Sequence, residues 1–110
     1  MVTIRHARLD DHPRIIEVVD SWWGGRRMSA LIPSLFLEHF AGTSYVAETD
    51  DGALAGFLIG FVSQDHPDEA YVHFVGVNPE LRGEQLGRRL HDTFAEQVAA
   101  QTALLVACDP

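Results

Sequence analysis

Tyr71-Val72-His73-Phe74-Val75-Gly76-Val77-Asn78-Pro79-Glu80-Leu81-Arg82-Gly83-Glu84-Gln85-Leu86-Gly87-Arg88-Arg89-Leu90 decides the fold, because a β-rich run, a turn and a glycine-containing segment lead straight into an amphipathic helix. The first turn of a helix carries backbone N–H groups with no intrahelical acceptor, and its aligned peptide dipoles place roughly half a positive charge there. Phosphate is the natural guest of such a terminus. Gly83 and Gly87 lack a Cβ, so the backbone around them can bend tightly and let a bulky diphosphate approach its amides.

Working outward, Tyr71 to Val77 reads as a strand, and Leu86, Leu90, Phe94 and Val98 give the following helix a core-facing stripe. Ala103 to Ala107 is a last, apolar strand. Upstream, Thr43 to Thr49 and Ala53 to Val62 pair as a hairpin across the turn signal Asp50-Asp51-Gly52, and Gln64 to Glu69 is a polar loop. Val2 to Arg8 alternates apolar and polar side chains, the period of a first strand with one buried face. Asp10 or Asp11 then caps a helix that tolerates Pro13 in its first turn and carries Ile15, Val18, Val19 and Trp22 on one stripe, with Gly24-Gly25 at its end. A second, shorter helix covers Ile32 to Phe40, opened by Pro33 and Ser34, with Leu35, Leu37 and Phe40 for packing. The order is β-α-α-β-β-β-α-β, a mixed α/β layer arrangement without internal repeats.

A chain of 110 residues accommodates one compact domain, here 1–110, and 46% hydrophobic with 22% charged residues describes a globule. The net charge of −8 repels nucleic-acid phosphates, so no nucleic-acid partner is expected. The pairs Arg26-Arg27 and Arg88-Arg89 still allow a local anion site. Cys108 is the only cysteine, which excludes an intrachain disulfide framework and points to a cytoplasmic setting. No apolar run approaches the roughly 20 residues that cross a bilayer, and no signal-type pattern opens the chain, so no membrane partner is expected. A phosphate loop of the Gly-x-x-x-x-Gly-Lys-Ser/Thr type and the full dinucleotide fingerprint are both missing. The six histidines lack His-x-x-x-His spacing, and no metal site is expected.

This order, with Val75-Gly76-Val77 and Arg82-Gly83-Glu84-Gln85-Leu86-Gly87, resembles the GNAT family, the Gcn5-related N-acetyltransferases, from the first strand to about Ala107. The family's signature after its fourth strand is Arg or Gln, two residues, Gly, one residue, then Gly or Ala. Arg82 and Gly87 fit it, whereas Gln85 stands where the first signature Gly is usual. A side chain there is acceptable if the backbone is helical and costly if φ is positive. The resemblance implies acetyl-coenzyme A as co-substrate, its pyrophosphate wrapped by the backbone of Arg82, Gly83, Gln85, Gly87 and Arg88. It also implies a bulge in the fourth strand, for which Gly76 is the candidate, and main-chain contacts from Val75 and Val77 to the pantetheine arm. Family members usually continue into a further helix and two strands. The resemblance therefore implies a domain without its C-terminal part, whose open apolar edge would pair with another copy as a homo-oligomer.

Amine acetylation needs a group that accepts the amine's proton. Tyr71 and His73 lie two apart and share one strand face, and histidine's ordinary pKa of about 6.5 suits the task. His73 is thus the preferred base, the alternative being a half-exposed strand residue without chemical work. Glu69 and Glu48 are further candidates, read more simply as solvated carboxylates. Trp22, Trp23 and Arg26, with Arg27, lie where the family's first two helices join and commonly shape the acceptor pocket; the alternative for Trp22 is core packing. The implied activity is acetyl transfer to a primary amine, small-molecule or peptide, by direct attack in a ternary complex. The other reading is a non-catalytic, coenzyme-binding or oligomerising module.

Overall fold

A computed structural model describes residues 2–102 and 105–106, and for residues 82–84, 101–102 and 105–106 it describes the backbone only. Cys108 and most of the expected final strand lie outside the described residues. The elements follow the anticipated order: β1 (Thr3–His6), α1 (His12–Trp22), α2 (Leu35–His39), β2 (Tyr45–Glu48), β3 (Leu54–Val62), β4 (Glu69–Val77), α3 (Leu86–Thr102) and β5 (Leu105–Val106). The five strands lie in sequence order across one sheet, antiparallel from β1 to β4, with β5 parallel to β4.

Two cores sandwich this sheet. On one side the α3 stripe of Leu86, Leu90, Phe94 and Val98 is fully buried against Tyr45, Leu58, Ala70 and Val72. On the other, Ile15, Val19 and Trp22 of α1 and Leu37 of α2 pack on Val46, Phe57 and Ile59. Gly60 lies in β3 under the ring of Phe94, close enough that a Cβ there would fall 2.5 Å from Phe94 Cε1. The hairpin turns at Gly52 with φ +86°, which glycine adopts without steric cost.

Two expectations are corrected. The second helix begins at Leu35, three residues later than its pattern predicts, after a separate 3-10 turn at Ser29–Leu31, and Leu35 is half exposed instead of packed. Pro33 accounts for the late start, because it disfavours helical φ/ψ at the residue before it. The bulge of β4 falls at His73 and not at Gly76. Ile59 pairs with Phe74 while the next residue, Gly60, pairs with Val72, which leaves His73 as the extra residue. Gly76 pairs in register with Phe57 and is small for another reason: a Cβ there would lie 2.7 Å from Phe57 Cε1 and 3.1 Å from Trp23 Cη2.

Candidate functional site

The bulge reverses the alternation of β4. Ala70 and Val72 before it, and Val75 and Val77 after it, all face α3, whereas Phe74 joins the α1 core. His73 comes to lie beside Phe74 on the helix α1–α2 side, with its ring stacked on Phe36 at 4.4 Å. Among the described residues β5 pairs only with Glu69 and Ala70, so the main-chain groups of residues 71–77 on that edge have no described strand partner. Val75 and Val77 lie on this stretch.

Beyond β4 the chain makes a 3-10 helix, Pro79–Glu84, capped by Asn78, whose side chain accepts from Glu80 N–H. Gln85 then adopts φ 55° and ψ 31°, and α3 starts at Leu86. A left-handed residue set between right-handed turns gathers successive N–H groups into an anion-binding concavity. The bond at the head of α3 runs from Arg89 N–H to Gln85 O at 3.0 Å, so the amides of Leu86, Gly87 and Arg88 precede it, in the turn where helix amides ordinarily lack an intrahelical acceptor. A Cβ on Gly87 would meet only Val77 Cγ2, at 3.6 Å, an ordinary contact, so the fold itself leaves space above this turn. Gln85 thus takes the costly alternative foreseen for it, a side chain at positive φ. The guanidinium of Arg89 donates to Val2 O at 3.1 Å, while Arg88 is exposed and carries no ion pair among the described residues. Arg82 and Gly83, both nominated from the sequence, are described in their backbone alone, within the 3-10 helix.

On the acceptor side the structure separates the nominated residues. Trp22 is buried and stacks on Phe57 at 6.0 Å, as core packing. Trp23 is half-buried, 5.0 Å from Phe74, at the rim of β4. Gly24 and Gly25, with φ +68° and +86°, turn the chain there, and Arg26 and Arg27 follow in the open. The ring of Tyr71 stacks on Phe61 at 5.5 Å, on the same face as His73. His73 Nε2 lies 2.7 Å from the carbonyl of Leu31, which can only accept, so this nitrogen carries the hydrogen.

Glu48 is held in an ion network rather than poised to take a proton. Its carboxylate accepts from Arg5 at 3.1 Å and from Arg14 at 2.8 Å, and these two bonds lower its pKa. Asp11, expected only as a helix cap, sits buried at the centre of this network. Burial alone would raise its carboxyl, but bonds from Arg5 and from the Arg8 amide, with the charges of Arg5 and Arg14, outweigh that and hold it below the ordinary carboxylate range. Glu69 is exposed, 4.0 Å from His66.

Two residues escaped sequence reasoning. Asp20 Oδ1 accepts from the amides of Met28 and Ser29, both at 2.8 Å, and so fastens the segment after α1. An acidic residue in the last turn of a helix opposes the dipole, and that unfavourable placement was its available signal. His12 Nε2 donates to Ile32 O at 2.8 Å, with nothing in the sequence to mark it. Among the described residues no cluster of three or more His, Cys, Asp or Glu side chains gathers to hold a metal, and no helix is long and apolar enough to cross a membrane.

Four antiparallel strands flanked by helices, with a bulge in the fourth and a helix start directly after it, define a mixed α/β domain. The chain belongs to the acetyltransferase (GNAT) family, whose family model matches residues 4–110. It is 37% identical over 78 residues to the L-2,4-diaminobutyric acid acetyltransferase of Nocardia farcinica, a match covering 69% of this chain and 40% of that protein. With the enzyme of the same name from Streptomyces coelicolor it shares 30% over 102 residues, 87% of this chain and 60% of that one. The chain therefore spans about half the length of these curated relatives. In fold it is similar to the diaminobutyrate acetyltransferase of Paenibacillus lautus, solved with its substrate and coenzyme A, at TM-score 0.77, 20% identity and coverage of 98% of this chain and 64% of the other. It also resembles N-acetylglutamate synthase of Neisseria gonorrhoeae, at TM-score 0.76, 19% identity and coverage of 98% and 25%.

Proposed function

We propose that this chain carries the coenzyme-binding part of an acetyl-coenzyme A-dependent N-acetyltransferase that acts on a small amino acid with a second amine, 2,4-diaminobutyrate being the first to test. The observation that carries the coenzyme reading is the left-handed turn at Gln85 joined to the first amides of α3, directly beyond the part of β4 that has no outer strand partner among the described residues. Backbone amides of Leu86, Gly87 and Arg88, with the Arg88 guanidinium, would hold the diphosphate, and the main chain at Val75 and Val77 the arm that reaches the bulge. Acetyl-coenzyme A, when bound, supplies the activated acyl group. The chain's own residues bind it, present the amine and receive the amine's proton. Nδ1 of His73 would take that proton, since Nε2 is committed to Leu31, with the Tyr71 hydroxyl beside it on the same face of β4.

The acceptor reading rests on the names of the relatives and on charge. A diamino acid is cationic at neutral pH and approaches a molecule of net charge −8 favourably. Its carboxylate would meet Arg26 or Arg27 beside Trp23. A homo-oligomer formed through the outer sheet edge belongs to the same proposal and is read from the mass in solution by light scattering. The central test is thermal shift with acetyl-coenzyme A, coenzyme A and ATP, then thiol release across an amine panel headed by L-2,4-diaminobutyrate. Stabilisation by both coenzyme forms over ATP, with turnover, is the expected result. No stabilisation by either form rejects the reading, and stabilisation without turnover on any amine favours the non-catalytic module.

A further inference from the structure

We propose that His12 and His73 are a pair of positioning residues that pin the Leu31–Ile32 peptide over the bulge of β4 and so set the acceptor-side wall of the site, an inference that rests on the acetyl-transfer reading for its catalytic consequence but not for its geometry. The two imidazoles reach consecutive carbonyls of one short segment from different elements: His12, on α1, donates Nε2–H to Ile32 O at 2.8 Å, and His73, the bulged residue of β4, donates Nε2–H to Leu31 O at 2.7 Å. Within the same segment Asp20 holds the Met28 and Ser29 amides, and the amides of Leu31 and Ile32 close onto Met28 O and Ser29 O. Side chains from α1 and β4 thus grip four main-chain groups between Met28 and Ile32. Ile32 is fully buried beneath this grip, while Leu31, next to it, is 49% exposed.

The bulge is what makes the link possible. An extra residue on β4 brings His73 to the α1–α2 side next to Phe74, and stacking on Phe36 at an interplanar angle of 12° fixes the ring plane and hence the direction of Nε2–H. Both the neutral ring bonded this way and the imidazolium keep a hydrogen on Nε2, so the link survives a change in ring charge. A base working through Nε2 would instead have to shed that hydrogen and release Leu31. The bulged residue also lies two positions before Val75, so the pinned segment is tied to the stretch of strand along which the proposed function places the acyl carrier.

Three measurements on the whole chain test the pair. Nitrogen-15 NMR should find the Nε2–H form of both rings at pH 7 to 9. His73→Ala and His12→Ala should each speed amide exchange at Met28, Ser29, Leu31 and Ile32, and raise KM for the amine about fivefold, the equivalent of one ordinary hydrogen bond, with KM for the coenzyme unchanged. His73→Gln, whose amide N–H occupies nearly the place of Nε2–H but has no basic nitrogen in place of Nδ1, should restore exchange and KM for the amine while kcat stays low. An Nε2 without hydrogen, unaltered exchange in the alanine variants, or a glutamine variant whose exchange and amine KM are as impaired as those of His73→Ala would overturn the proposal. Exchange and tautomer are read without turnover, so an inactive chain would count against the proposed function while the pair still stood or fell on its own two readouts.

Discussion

Replacing Gln85 with glycine separates backbone strain from side-chain contact at the head of α3. Gln85 has φ 55° and is the single non-glycine with positive φ among the described residues. An L residue loses about 1–2 kcal/mol in the left-handed region, while glycine avoids that loss but surrenders about 0.5–1 kcal/mol through its greater freedom in the unfolded chain. The difference is about 0.7 kcal/mol in favour of Gln85→Gly, because the exposed side chain gives up no buried surface. For a domain of this size that corresponds to a rise in Tm of about 3–4 °C. Gln85→Ala is the control: it trims the side chain but keeps the Cβ and the strain, so its Tm should stay at the wild-type value or below. Thermal and urea unfolding of the three proteins decide the matter, and titration with acetyl-coenzyme A should show Gln85→Gly binding the more tightly. An alanine variant stabilised as much as the glycine variant, or a glycine variant with no gain, would refute the assignment of strain to this residue.

Gly60→Ala should destabilise by about 1–3 kcal/mol through overpacking against Phe94, read as a lower urea midpoint, and an unchanged midpoint would show that the ring yields freely. Gly87→Val should leave stability within about 0.5 kcal/mol, since valine and glycine are both weak helix formers and the new Cβ meets only Val77. The same variant should weaken coenzyme binding about tenfold or more by covering the amides, and equal dissociation constants would contradict the site. Asp11 has a lowered folded pKa, so its contribution is complete above the unfolded carboxylate value of about 3.9 and is lost as pH falls through the folded value. Asp11→Asn should therefore cost about 1–3 kcal/mol at pH 7 and progressively less as pH falls below about 3.9, measured as urea midpoints, and a deficit independent of pH would assign the loss to packing.

What the sequence by itself determined is what repeats locally. Leu86, Leu90, Phe94 and Val98 recur at helical spacing, and each is buried where the period places it. Asp50-Asp51-Gly52 announces the β2–β3 turn through glycine's tolerance of positive φ, and Arg82 and Gly87 match the family signature while Gln85 departs from it. Tertiary structure decided the rest. Leu35 fits an amphipathic stripe but stays half exposed, because Pro33 delays the helix, and no periodicity reports which apolar residues find a partner. The bulge at His73 depends on how β3 registers against β4, so a strand that alternates plausibly in either frame could not reveal it. Gln85 was compatible with a helical or a left-handed backbone, and only the path from the 3-10 helix into α3 makes it left-handed. His73 and Leu31 are 42 residues apart and His12 and Ile32 are 20 apart, and their bonds exist only because α1 and β4 pack on a common core. Spacing along a chain encodes which face a side chain shares, while the atom it meets across that face is set by the packing of distant elements.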